Sequence, residues 1–389
     1  MMDQPNGASA SARRTFLRVT GAGALAAAVT ACAPSSAPPA AGPTGAPAGK
    51  PAWETQWDEL VAAAKKEGAL TMIAGPEAGF RKALDSFEEK FPGITVNREG
   101  VRSASIWLPK IQQERKANIY NFDVAYLTPG SAIRVAKPEG FWDPIRPAFL
   151  RPDITDDKSW LNTFEEGFLD VEKKFAFAGD YNLEHAVAVN ATQVKAGEIK
   201  SIKDLLDPKW KGKITAIDVR NGRNFQAMGA VRRSQGDAAI KQLMIDQEPN
   251  FVRDERIHVE GMIRGQYPVA IGLHPLILKE FQAQGVGKDI KYLDLDEADY
   301  ITSDSVFLFN RAPHPNAAKL FINWVLSQEG ATIWSTNAGT NSRRADVPVA
   351  NELRRARAGV KYYDPTKESE HGFVEKTQQM LYELMGIKN

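Results

Sequence analysis

The chain has 389 residues, 43% hydrophobic and 25% charged, with 49 lysines and arginines against 48 aspartates and glutamates. That composition is ordinary for a folded globular protein and excludes a disordered or collagen-like chain. A formal net charge of +1 without any polybasic run argues against a nucleic-acid partner, and a single cysteine excludes a disulfide-built scaffold.

At the N-terminus, "SARRTFLR" sets Arg13 and Arg14 ahead of "VTGAGALAAAVTA", a weakly hydrophobic segment of 13 residues that runs up to Cys32. A charged start, a short apolar centre and small residues before a cut site make an export signal. The segment is too short for a membrane-spanning helix, which needs about 20 apolar residues. The arginine pair resembles a twin-arginine signal, and "VTAC" resembles a lipobox. Residues 1–31 are therefore expected to be a leader, and Cys32 the lipid attachment site. The Pro/Ala/Gly tract that follows makes 32–52 a semi-extended tether. Removing 1–31 takes three arginines and one aspartate from a net +1, leaving −1. The expected location is the periplasm or cell surface, anchored to the membrane.

The body begins with "TQWDELVAAAKKEG", where Trp57, Leu60, Val61 and Ala64 fall at helical spacing and Gly68 ends the run. "ALTMIAG" predicts a strand and "PEAGF" its exit loop. "FRKALDSFEEKFPG" lines Phe80, Leu84, Phe87 and Phe91 along one helical stripe, and "ITVNRE" is the next strand. A helix interrupted by proline is predicted in "SASIWLPKIQQERKAN", followed by the strand "FDVAYL". Farther on, "KGKITAID", "YPVAIGL", "IKYLDLD" and "SDSVFLFN" predict strands. "DAAIKQLMIDQEPN" and "GFVEKTQQMLYELMG" predict helices, and "HPNAAKLFINWVLSQEGATIWS" carries a strong stripe through Ala318, Phe321, Ile322, Val325 and Leu326. Alternating strands and amphipathic helices indicate an α/β fold with a largely parallel sheet.

The order of "LVAAAKKEGALTMIAG", "FEEKFPGITV", "DLLDPKWKGKIT", "GQYPVAIG" and "APHPNAAKLFINWVLSQEGATIWSTNAGTNSRRADV" resembles extracellular solute-binding proteins of ABC importers, in the branch that includes ferric-ion, thiamine and polyamine binders. The resemblance implies a two-lobed α/β fold of the type II periplasmic-binding-protein kind, with two β-strand crossovers and a ligand cleft between lobes. On that template the crossovers fall near "DYNLEHAVAVN" and "YITSDSVFLFN". Residues 53–184 form lobe one and 186–294 lobe two; 295–389 hold the second crossover and C-terminal helices shared between lobes. The partners it implies are a small-molecule ligand and a membrane permease, for a monomer with no cofactor.

In open α/β sheets, ligands sit beyond the carboxyl ends of the strands. The most specific such loop is "DVRNGRN". Asn221-Gly222 is expected in left-handed backbone, turning successive N–H groups towards one point. Asn221 or Asn224 would cap a helix beginning near Phe225, whose free N–H groups favour an anion. Arg220 or Arg223 would add a bidentate contact. The plainer alternative is a capped turn with solvated arginines. Further candidates are Glu77 after the first strand, Ser103 and Ser105 after the second, and Thr128 and Ser131 in "TPGS", with Ser131 a second cap candidate. Tyr181 and Asn182 lie at the first crossover. His274 in "GLHPLIL" either bonds a ligand or ends its strand.

Ferric-binding relatives carry adjacent tyrosines just after that last strand, and this chain has Pro275-Leu276 there, so no metal site is expected. The histidines lack metal-ligand spacing, and no nucleophile elbow, HExxH or Walker loop occurs. The expected function is therefore capture of a small, anionic or carboxylate-bearing solute, and not catalysis. The alternatives are a sensor or docking module for a membrane receptor, and a ferric-chelate binder.

Overall fold

A computed structural model describes residues 50–101 and 104–388; the leader, Cys32 and Ser103 lie outside the described residues. The first helix, Ala52–Glu67, stops where Gly68 takes a left-handed φ of 73° and returns its N–H to the Ala64 carbonyl. Strand β1 (Ala69–Ala74) follows directly, then the helix Ala78–Lys90 and β2 (Thr95–Gly100). The Phe80, Leu84 and Phe87 stripe is buried as its spacing predicts. Pro109 sits inside the helix Ala104–Lys116, before β3 (Val124–Leu127).

Two short strands, β4 (Trp142–Asp143) and β5 (Phe177–Ala178), flank an irregular stretch. Next come β6 (Asp180–Glu184), β7 (Val187–Asn190), β8 (Ile214–Ile217), β9 (Asn250–Val252), β10 (Val269–Ile271) and β11 (Ile290–Tyr292). The last strands are β12 (Tyr300–Thr302), β13 (Ser305–Phe309) and β14 (Asn341–Ser342).

They form three sheets. One has the order β2-β1-β3-β13-β4, with β5 also on β13; a second has the order β11-β7-β10-β8-β9. Pairs made by β1 and β8 are parallel, whereas β13 and β7 run antiparallel to their neighbours. Between them lies a small sheet, β12-β6-β14. Strand β6 carries the chain from the first sheet to the second and β12 carries it back, with Asn182 opposite Thr302 and Glu184 opposite Tyr300. Each main sheet has a core on both faces. The helices Ala52–Glu67, Ala78–Lys90, Pro315–Val325 and Gln328–Ala338 cover one face of the first sheet, and Ala104–Lys116 the other. Gly222–Gln235 and the last helix, His371–Leu384, cover one face of the second sheet; Glu255–Ile263 and Pro275–Ala283 cover the other.

The chain thus forms two α/β lobes joined by two strand crossovers. A third passage returns at the end: Tyr363 accepts the N–H of Ile301 beside β12 before the last helix docks on Gly222–Gln235. Among the described residues, no helix is long and apolar enough to cross a membrane.

Candidate functional site

Beyond the carboxyl end of β8, Asn221 caps the helix in extended backbone (φ −78°, ψ 136°), its side chain accepting the N–H of Arg223 at 2.9 Å. Gly222 is already the first helical residue. Two expectations are corrected here: the loop uses no left-handed residue at 221–222, and the helix starts three residues ahead of Phe225. The cause is the Asn221 cap, which satisfies the first-turn donor without a reversed backbone. Asn224 is not a cap. It is fully buried, and its amide donates to the Ile217 carbonyl at 2.6 Å, tying helix to strand.

The arginines of this loop part company. Arg220 is exposed and folds back on Asp218, with Nε at 2.7 Å and Nη2 at 2.5 Å from its carboxylate. That contact, ahead of the opposing effect of burial, holds Asp218 below the usual carboxylate range. Arg223 turns inward and donates to Glu184 of the crossover strand at 2.6 Å. The same carboxylate takes a second guanidinium, Arg354 from the C-terminal passage. Arg354 is only 9% exposed, and its Nε–H has no acceptor among the described residues. Burial brings its pKa down to about 10, so it stays cationic at neutral pH. Glu255 closes the group, accepting from the Asn221 amide at 3.0 Å and lying 3.7 Å from Nε2 of His274. His274 stands at the head of the helix Pro275–Ala283, after Gly272, whose φ of +73° lets the chain pass Ile217.

A second polar group lies beyond the carboxyl ends of β1 and β3. Thr128 donates to Asp304 at 2.8 Å, and the Asp304 N–H donates to Asp180 at 3.0 Å. Asp180 is 1% exposed, with the Tyr126 and Thr340 hydroxyls beside its carboxyl. Burial first, then the neighbouring charge of Asp304, pushes the Asp180 carboxyl well above the usual range; burial likewise raises Asp304. Ser131 lies in the short helical turn Pro129–Ser131 and makes no side-chain cap; Thr128 precedes that turn, with its hydroxyl committed to Asp304. Glu77 precedes the helix Ala78–Lys90, and Ser105 is exposed in the first turn of Ala104–Lys116. Tyr181 and Asn182 are buried in β6.

Residues 70–339 match the family of bacterial extracellular solute-binding proteins. The chain belongs to that family. Solved structures share its fold. Iron-bound HitA from Pseudomonas aeruginosa is 15% identical with a TM-score of 0.61, over 81% of this chain and 99% of that one. The spermidine/putrescine transporter substrate-binding protein PotD from Streptococcus pneumoniae is 16% identical at a TM-score of 0.62, over 82% and 99%. AfuA from Actinobacillus pleuropneumoniae, solved with fructose-6-phosphate, is 21% identical at 0.58, over 82% and 98%. No curated protein matches by sequence. The fold is the two-lobed type II form with a cleft between its lobes, and the family is one of binding proteins and not of enzymes.

In this solute-binding protein the structure joins residues that sequence reasoning left out. Asp180 and Glu184 occupy the crossover strand, and two acids in a strand otherwise fully buried were a readable signal. Arg354 carried none, because "NELRRARAGV" has the charge density of a solvent-facing stretch. Among the described residues, the nearest approach to a metal shell is His185, Asp294 and Asp299, whose ligand atoms lie within 4.8 Å of one another. Both nitrogens of His185 are already used, by Asp299 at 3.0 Å and the Leu353 carbonyl at 2.8 Å. Asp299 also accepts the N–H groups of Ala186 and Leu295, so the group serves the fold.

Proposed function

We propose that this solute-binding protein captures a small anionic or carboxylate-bearing solute in its interlobe cleft and delivers it to the permease of an ABC importer. In this reading residues 1–31 export the chain by the twin-arginine route. Lipidated Cys32 and the 32–52 tether then hold a monomer at the outer face of the membrane. The observation that carries the ligand class is the meeting of Arg223 and Arg354 on Glu184 at the head of the Gly222–Gln235 helix. The buried Arg354 guanidinium, with an N–H that has no acceptor among the described residues, favours a further acid group, and the positive end of the helix adds to this. The fold neighbour AfuA was solved with fructose-6-phosphate, an acid-bearing solute. Ligand contacts from both walls would favour the closed arrangement of the lobes.

The test is a thermal-shift screen of the purified body against small carboxylates, phosphates, sulfonates, diamines and ferric chelates. A ligand held by the folded state raises the melting temperature with concentration; at 100 times its Kd the gain is about 2.7 kcal/mol. Acid-bearing solutes are expected to shift the protein, and less so once Arg223 is alanine. A shift with diamines alone would overturn the ligand class.

A further inference from the structure

The two sides of the cleft carry unlike groups, guanidinium groups set among carboxylates on one and a buried carboxyl pair on the other. On the lobe-two side stand Arg223 and Arg354, at the head of a 14-residue helix. On the lobe-one side stand Asp180 and Asp304, with Glu77 close enough to act on Asp304. Around the crossover strands, three buried polar atoms lack partners among the described residues: Asn182 Oδ1, Ser305 Oγ and Arg354 Nε. They include acceptors and a donor, and all three belong to β6 or to segments beside it. Buried polar groups are normally paired, so three in one place mark a site built for polar contact and not for packing. An acid-only solute satisfies the arginine side and brings its charge towards Asp180 and Asp304. A solute with a cationic group at its other end serves both walls.

We propose that the cleft is specific for amphoteric solutes, with the acid group at Arg223 and Arg354 and an ammonium or similar cation at Asp180 and Asp304. This rests on the cleft reading above and narrows it.

The experiment uses matched triplets on the full body: 4-aminobutyrate with butyrate and 1-aminobutane, β-alanine with propionate and ethylamine, and taurine with ethanesulfonate and ethylamine. Glycine, 6-aminohexanoate and glycine betaine extend the range of spacing and cation. At least one amphoteric solute is expected to bind ten-fold or more tightly than either single-charge analogue by calorimetry. Asp180→Asn should erase that advantage, leaving affinity near that of the acid-only analogue; Asp304→Asn is the second variant if the first does not fold. Equal binding of amphoteric and acid-only members overturns the inference and leaves the anionic reading standing. So does an advantage that survives both variants. Binding of cation-only members alone overturns both readings. Silence of every amphoteric solute at 10 mM, the unpartnered atoms then serving water only, overturns the inference by itself.

Discussion

Arg220 and Arg223 are three residues apart and have unlike roles, and their substitution separates them. Arg220 is exposed beside Asp218, so Arg220→Ala should leave the denaturation midpoint unmoved. Arg223→Ala removes one of two cations from a nearly buried Glu184 and should cost about 1–3 kcal/mol in a urea titration. His258 offers a pH test. It is 1% exposed in the helix Glu255–Ile263, and burial pushes its pKa from 6.5 down to about 4. Above pH 6.5 the ring is neutral folded or unfolded. Between 6.5 and 4 the unfolded chain takes up a proton that the folded one refuses, so stability falls with pH, by up to roughly 3 kcal/mol. In His258→Asn the difference in unfolding free energy between pH 7 and pH 4.5 should shrink. An undiminished difference would assign the acid sensitivity to other groups.

The elements follow local chemistry wherever a cap or a stripe is present. Gly68, Asn221 and Ser327 mark real boundaries, and the stripe through Phe321, Ile322 and Val325 is buried. Ser327 also divides that apolar run into two helices, because its hydroxyl accepts the N–H of Gly330 at 3.1 Å and starts a new turn. The close packing of these helices depends on missing side chains. A Cβ on Gly79 would lie 2.0 Å from the carbonyl oxygen of Asn337, on the helix that packs across Ala78–Lys90. Gly79→Ala should therefore cost about 1–3 kcal/mol, read as a lower denaturant midpoint at unchanged slope. The helix "DAAIKQLMIDQ" keeps regular form only over Asp237–Lys241 before its turns widen.

For the whole molecule, the C-terminal passage is the contact that bears on opening and closing. Glu368 is tied to lobe one, through Lys137 at 2.5 Å and the Val171 N–H at 2.8 Å. Two residues on, Glu370 is paired with Arg233 of the lobe-two helix. Opening about β6 and β12 has to stretch or carry this strap. Glu368→Gln should weaken the lobe-one anchor, lowering stability by about 1–2 kcal/mol and raising the radius of gyration of the ligand-free protein in X-ray scattering. An unchanged scattering curve would mean that the strap moves with one lobe.

The sequence by itself determined the α/β class, most element positions, the family resemblance and the "DVRNGRN" loop, because periodicity and capping are local and each is written in a few adjacent residues. It also put Arg220 and Arg223 on equal terms, since nothing local tells an outward arginine from an inward one. Only the tertiary structure decided that Arg223 and Arg354 meet on Glu184, 39 and 170 positions after that shared carboxylate in the chain. The buried carboxyl pair was likewise set by folding, which brings Asp180 and Asp304 together across 124 residues. Ion pairing is decided by proximity in space, and sequence separation carries no record of it.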